Sequence, residues 1–123
     1  MVNHLVGIRD VSVLLNGPMA GAVFETAVVS EIMKNRLAEG TKPSLYYFRA
    51  QSGMEIDMIE QSGAALVPYE IKLAGSIKPA FYKQLLQWLE LGGNKDGTAF
   101  LITNAGSEAM LPPRIRNIHW KNL

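Results

Sequence analysis

Three acidic residues and one lysine are the side chains of this sequence whose types and spacing could support chemistry. Asp57 lies in MEIDMIE at 54–60, and Glu70 and Lys72 lie two residues apart in ALVPYEIKLA at 65–74. Both segments have the pattern of β-strands, so Glu70 and Lys72 should share one face of a strand. The short turn QSGA at 61–64 joins the two segments as a hairpin. Hairpin pairing would bring the carboxylates of Asp57 and Glu70 close together.

Two neighbouring carboxylates favour a divalent cation. Like charges at close range raise the pKa of each carboxyl unless a cation lies between them. Oxygen ligands of this kind suit Mg²⁺ or Mn²⁺. Lys72 could then stabilise an attacking water or the negative charge that develops on a phosphate. Glu25 lies in the apolar sector of a predicted helix and could add a third carboxylate.

A purely structural interpretation stands beside this one. Glu-x-Lys is common in strands, where it usually marks a solvated face or a cross-strand ion pair. On that interpretation the carboxylates pair with Lys72 and Arg49 only for structure. Glu55 and Glu60 are expected to be surface charges rather than ligands.

Composition limits the classes of protein to which the chain can belong. It has 123 residues, of which 48 % are hydrophobic and 19 % charged, and this indicates one globular domain. It has no cysteine and two histidines at opposite ends, which excludes a disulfide framework, a thiol nucleophile and a histidine-rich metal site. Membrane-span and signal-peptide patterns are missing, so the expected compartment is the cytoplasm. With a net charge of +1, contact with nucleic acid would depend on a local patch or a bound cation.

Periodicity and turn signals predict the elements that position these residues. They are a helix over 21–37, strands over 45–50, 54–60 and 65–74, a helix from about 76 to a stop at Gly92-Gly93, a strand over 98–104, and a further strand over 114–120. Short turns make the first three strands an antiparallel meander, whereas the second helix allows a parallel crossover. The predicted fold class is α/β (α+β), a mixed sheet with the order α-β-β-β-α-β. Alternation in the second strand predicts one side with Met54, Ile56, Met58 and Glu60 and another with Glu55, Asp57 and Ile59.

Four stretches of the sequence, in this order, resemble the PD-(D/E)XK nuclease superfamily, which has a restriction-endonuclease-like fold. They are GAVFETAVVSEIMKN, LYYFRAQSGMEIDMIE, VPYEIKLA and FYKQLLQWLE, and together they cover most of residues 21–104. The resemblance is greatest to the C-terminal domain that follows the ATPase core in many prokaryotic AAA-type ATPases. Ile56 stands where many superfamily members have proline before the aspartate.

The resemblance implies a role for each matching residue. Asp57 and Glu70 would hold Mg²⁺ or Mn²⁺, Lys72 would assist hydrolysis, and Glu25 would complete the site. The main-chain carbonyl of Ile71 would be a further ligand.

The resemblance and the residue types also suggest contacts with nucleic acid. Gln84 matches a glutamine on the helix after the motif strand, and Trp88 stands where relatives of one type have tyrosine. Arg49 and Lys78 are candidate phosphate contacts, although both are also typical of solvated surface cations.

The function that the resemblance implies is Mg²⁺-dependent hydrolysis of DNA phosphodiester bonds by a nuclease-like domain of an AAA-type ATPase. The alternative is a catalytically inactive module of that ATPase, which binds DNA or protein or assists assembly. No G-x-x-x-x-G-K-[ST] phosphate loop occurs in the sequence. Residues 1–20 are therefore expected to be a lead-in or linker from a missing N-terminal ATPase part, and residues 21–123 the restriction-endonuclease-like domain. The expected partners are DNA and the ATPase domain of the same parent protein, with no membrane.

Overall fold

A computed structural model of the chain describes residues 19–91, 97–105 and 110–123. The elements follow the order α1 (Ala20–Ala38), β1 (Leu45–Arg49), β2 (Glu55–Ser62), β3 (Ala65–Ile71), α2 (Lys83–Glu90), β4 (Ala99–Thr103) and β5 (Ile115–His119). Short 3₁₀ turns cover Pro79–Phe81, before α2, and Trp120–Asn122, after β5. The predicted lead-in over 1–20 and the helix stop at Gly92-Gly93 lie almost entirely outside the described residues.

The five strands form one mixed sheet in the order β1-β2-β3-β4-β5. β1, β2 and β3 are antiparallel, as predicted, and β3 pairs with β4 in parallel after the crossover through α2. β4 and β5 are also parallel. The β2–β3 turn needs a left-handed residue, which Gly63 supplies with φ 62°. This tight turn fixes the register that sets Asp57 against Glu70.

Two apolar clusters cover the two faces of the sheet. The cluster beneath α1 contains Phe24, Val28, Ile32, Met58, Tyr69, Ile71 and Ile102. The cluster beneath α2 contains Ile56, Ile59, Leu85, Trp88, Leu89, Ala99, Leu101 and Ile115. Phe24, Val28 and Ile32 recur every four residues, which is the spacing of one helix face. The protein is therefore a three-layer α/β arrangement with a helix on each face of the sheet.

The predicted alternation along β2 is wrong at one place, because the strand carries a β-bulge. Tyr46 pairs with Ile59 and Phe48 pairs with Ile56, so Tyr47 alone stands opposite the two residues Asp57 and Met58. Ile56 consequently packs on the same face as Ile59, beneath α2, whereas Met58 packs beneath α1. The bulge falls at the aspartate that the sequence singled out.

Among the described helices, neither is both long enough and apolar enough to cross a membrane.

Candidate functional site

Asp57 and Glu70 meet where the β2–β3 ladder ends. The last regular pair of that ladder joins Met58 to Tyr69, so Asp57 and Glu70 come next in the row. Beyond this point the main-chain N–H of Ile71 has a side-chain acceptor instead of a main-chain carbonyl of β2. It donates to Oδ2 of Asp57 at 2.9 Å. The carboxyl of Glu70 also shares a hydrogen bond with Asp57. The structure thus places the two predicted carboxylates in contact.

Burial makes the Glu70 carboxyl unusually hard to ionise. Only 6 % of the residue is exposed. Desolvation and the hydrogen bond and negative charge of Asp57 raise the pKa of Glu70 to about 9, against a smaller opposing effect of Lys72. The raised pKa favours the protonated form of the Glu70 carboxyl beside Asp57 at neutral pH.

Glu25 and Lys72 lie near this pair. Burial first, and then the negative charge of Asp57, raise the pKa of Glu25, whereas Lys72 acts in the opposite direction. Glu25 is half-buried in the second turn of α1, and Lys72 is exposed directly after β3. The main-chain N–H of Lys72 donates to the carbonyl of Ile102 at 2.9 Å, which anchors the lysine to β4. Glu25, Asp57, Glu70 and Lys72 are therefore close enough to influence one another's charge.

The side chains of this region that could serve as ligands for a divalent cation are the two carboxylates of Asp57 and Glu70. Across residues 19–91, 97–105 and 110–123, no three His, Cys, Asp or Glu side chains are arranged around one point that could hold a metal ion. Asp57 and Glu70 nevertheless offer carboxylate oxygens, which are the ligands that a divalent cation of this kind prefers. Mg²⁺ usually keeps several waters and needs only one or two carboxylates. Ile71 is a buried core residue, and the role of its carbonyl as a ligand stays a prediction.

Two of the three predicted nucleic-acid contacts meet Glu55, at the start of β2. The N–H of Glu55 donates to Oε1 of Gln84, which ties α2 to β2. The guanidinium of Arg49 lies 3.4 Å from the Glu55 carboxylate, and 69 % of the arginine side chain is exposed. Lys78 is exposed just before the Pro79–Phe81 turn. Trp88 is 6 % exposed and belongs to the core beneath α2.

Glu60 is a buried residue, so the prediction of a surface charge is wrong for it. The guanidinium of Arg36, on α1, donates through Nε and Nη2 to the two carboxylate oxygens of Glu60. The hydroxyl of Tyr69 donates to the same carboxylate at 2.9 Å. These hydrogen bonds, that of Arg36 above all, lower the pKa of Glu60 even though burial opposes them. Because Arg36 and Glu60 are 24 residues apart, no local pattern in the sequence signals the pair.

Tyr47 is an exposed aromatic residue of this region. It is 60 % exposed and lies across from the bulge that contains Asp57. The signal in the sequence is its position two residues before Arg49, which puts both side chains on one face of β1.

The fold and the site define an α/β domain with a carboxylate pair and a lysine at a break in its sheet. The chain belongs to the family described as a domain of unknown function, DUF4143, which it matches over residues 20–119. No curated protein and no solved structure matches the chain.

Proposed function

We propose that this domain is a restriction-endonuclease-like domain that hydrolyses phosphodiester bonds in DNA with the help of Mg²⁺ or Mn²⁺. The observation that carries the proposal is the contact between Asp57 and Glu70 at the end of the β2–β3 ladder. The order α-β-β-β-α-β and the nearby Lys72 support it. In the parent protein, the domain would act beside an AAA-type ATPase domain.

Each residue of the proposed site would have a separate role in hydrolysis. Asp57 and Glu70 would hold the cation, which supplies positive charge to the scissile phosphate and makes a water more acidic. The exposed ammonium of Lys72 would approach the phosphate from solvent and stabilise the charge that builds up on its oxygens. Glu25, half-buried on α1, would accept a hydrogen bond from the attacking water.

A second candidate function is a module of the ATPase that binds DNA or protein without cleaving it. Two observations favour it. The net charge of +1 offers little general attraction for a phosphate backbone. In addition, the raised pKa of Glu70 favours its protonated form, which can hydrogen-bond to Asp57 without a cation, as expected if the contact is structural.

Titration with Mn²⁺ distinguishes the two functions. Calorimetry would compare the wild type with Asp57→Asn, with Glu70→Gln, and with Glu31→Gln as a matched control. Glu31 is a half-exposed acid of α1 that pairs with Lys34 at 3.8 Å. The proposal expects binding in the wild type and in the control, and loss of binding in the two site variants.

A plasmid-nicking assay on the same samples tests catalysis. Lys72→Ala should keep Mn²⁺ binding and lose nicking, which also shows that a contaminating nuclease is not responsible. If the wild type binds no Mn²⁺ at millimolar concentrations and leaves the plasmid intact, the nuclease proposal fails and DNA binding without cleavage is the next property to measure.

A further inference from the structure

We propose that the ring of Tyr47 is a stacking platform for a base of single-stranded DNA, next to the cleavage site. This inference rests on the proposed function and names the form of DNA that the site takes. Three features of β1 support it: the exposure of the ring, its position in the sheet, and its charged neighbour Arg49.

Tyr47 is exposed, as is Tyr46 before it, whereas Leu45 and Phe48 pack against the core. Leu45 packs against the cluster beneath α1 and Phe48 against the cluster beneath α2. Regular alternation therefore puts Tyr47 on the face opposite Phe48. On that face 60 % of Tyr47 is open to solvent. An aromatic ring so exposed at the edge of a sheet contributes little to the core and is available to a ligand.

Tyr47 lies in the same row of the sheet as Asp57 and Glu70, although Glu70 alternates with Tyr69 and Ile71 and therefore points to the other face of the sheet. It stands opposite the Asp57–Met58 bulge of β2, and Asp57 is followed in the row by Glu70 of β3. Neighbouring strands are about 4.8 Å apart, so the row from Tyr47 to Glu70 spans roughly 10 Å. Partial desolvation of the hydroxyl, and then the negative charge of Glu55, raise the pKa of Tyr47. A hydrogen bond to Glu55 and the charge of Asp57 act in the same direction, whereas Arg49 opposes them. The effect of Asp57 on the pKa of Tyr47 is consistent with the strand pairing, which places the two residues opposite each other.

Arg49 adds a cation to the same face. It lies two residues after Tyr47, and its pair with Glu55 is solvent-exposed on both sides. Such a pair contributes little free energy and can exchange for a phosphate. Exposed aromatic rings with arginine beside them are the combination that binds unpaired bases, because every base has a flat face to stack. In a duplex the bases are stacked on one another, so a ring at this position favours a single strand.

The test measures the affinity for a short single-stranded oligonucleotide that contains 2-aminopurine, in Mn²⁺. The Lys72→Ala background keeps the DNA intact. Tyr47→Ala should weaken binding about tenfold and restore the fluorescence that stacking quenches. Tyr47→Phe should behave as wild type, because stacking uses the ring and not the hydroxyl.

Tyr46→Ala is the matched control. Tyr46 is 54 % exposed on the opposite face of β1 and should be replaceable without effect. If Tyr47→Ala binds and quenches as its parent does while the wild type still nicks DNA, this inference is overturned and the proposed function stands. If the wild type neither binds Mn²⁺ nor cleaves DNA, the proposed function fails first. If Tyr47→Ala loses the same affinity for a duplex as for a single strand, the preference for a single strand is overturned.

Discussion

The carboxylate of Asp57 accepts a hydrogen bond from the main-chain N–H of Ile71, and so holds the ends of β2 and β3 together where their ladder stops. Ile71 is 5 % exposed, so its N–H depends on this acceptor. Asp57, which is proposed to hold a cation, therefore also supports the fold. The two roles can be separated by the choice of substitution.

Asp57→Asn should keep the fold and lose the cation. Asparagine retains an oxygen for the Ile71 N–H, whereas Asp57→Ala leaves that buried donor without a partner, at a cost of about 1–3 kcal/mol. Urea denaturation without metal should therefore show a clear loss of stability for Asp57→Ala and a small change for Asp57→Asn. Equal stability of the alanine variant and the wild type would mean that the hydrogen bond does not support the fold.

The protonated state of Glu70 should make the metal-free protein less stable as the pH rises. Its pKa is raised from 4.5 to about 9, chiefly by burial, so the folded state keeps a proton that the unfolded chain releases. Stability is then highest below the unfolded pKa and falls as the pH rises toward the folded pKa. Thermal unfolding in EDTA between pH 5 and pH 9 should show this decline.

Glu70→Gln should flatten that decline, because glutamine fills the same space without a proton to lose. The variant should also be more stable than the wild type near pH 8. The same decline in both proteins would assign it to another group.

Cation binding should release a proton. The site carboxylates must be ionised to bind a cation, and Glu70 is protonated at neutral pH. The apparent affinity for Mn²⁺ should therefore increase by up to about tenfold per pH unit between pH 6 and pH 8. Calorimetry in buffers with different ionisation enthalpies measures the proton count directly. An affinity that does not vary with pH would mean that the cation binds without Glu70.

The pair of Arg36 and Glu60 should be one of the most sensitive points of the fold. Arg36→Met leaves the Glu60 carboxylate, which is 9 % exposed, without its cation and should cost about 3–5 kcal/mol. Arg36→Met combined with Glu60→Leu removes both charges and should recover most of that loss. Urea denaturation of the four proteins of this double-mutant cycle measures the coupling.

Acid should weaken the same pair. The hydrogen bonds from Arg36 and Tyr69 lower the pKa of Glu60 below 4.5, so their stabilisation is present above that pH and is lost as the pH falls below it. The single variant Glu60→Gln should lose less stability at pH 3 than at pH 7. An equal loss at both values would mean that the charge of Glu60 is unimportant.

Much of the architecture could be predicted from the sequence because its signals are local. The strand over 98–104 and the extra strand over 114–120 appear as Ala99–Thr103 and Ile115–His119. The third strand ends at Ile71 rather than at 74, where the chain turns toward α2. The contact of Asp57 with Glu70 was also predictable, because a short hairpin turn fixes which residues oppose each other.

Features that depend on distant contacts could not be predicted in this way. The buried state of Glu60 depends on Arg36, which reaches it from α1. Gln84 serves as an acceptor for the main chain of Glu55, a role that its position on α2 does not signal. The bulge could not be predicted, because the residue types at Ile56, Met58 and Glu60 are those of a regularly alternating strand.

The bulge makes Asp57 a surplus residue in its own strand. If position 57 is removed, Ile56, Met58 and Ile59 alternate without interruption, and each remains on the face where it now packs. The hydrophobic alternation of the strand is therefore complete without the aspartate, whose contribution to the fold is the hydrogen bond that its carboxylate accepts from Ile71. In evolutionary terms, this site could be gained or lost by the addition or deletion of a single codon, with the hydrophobic core left as it is.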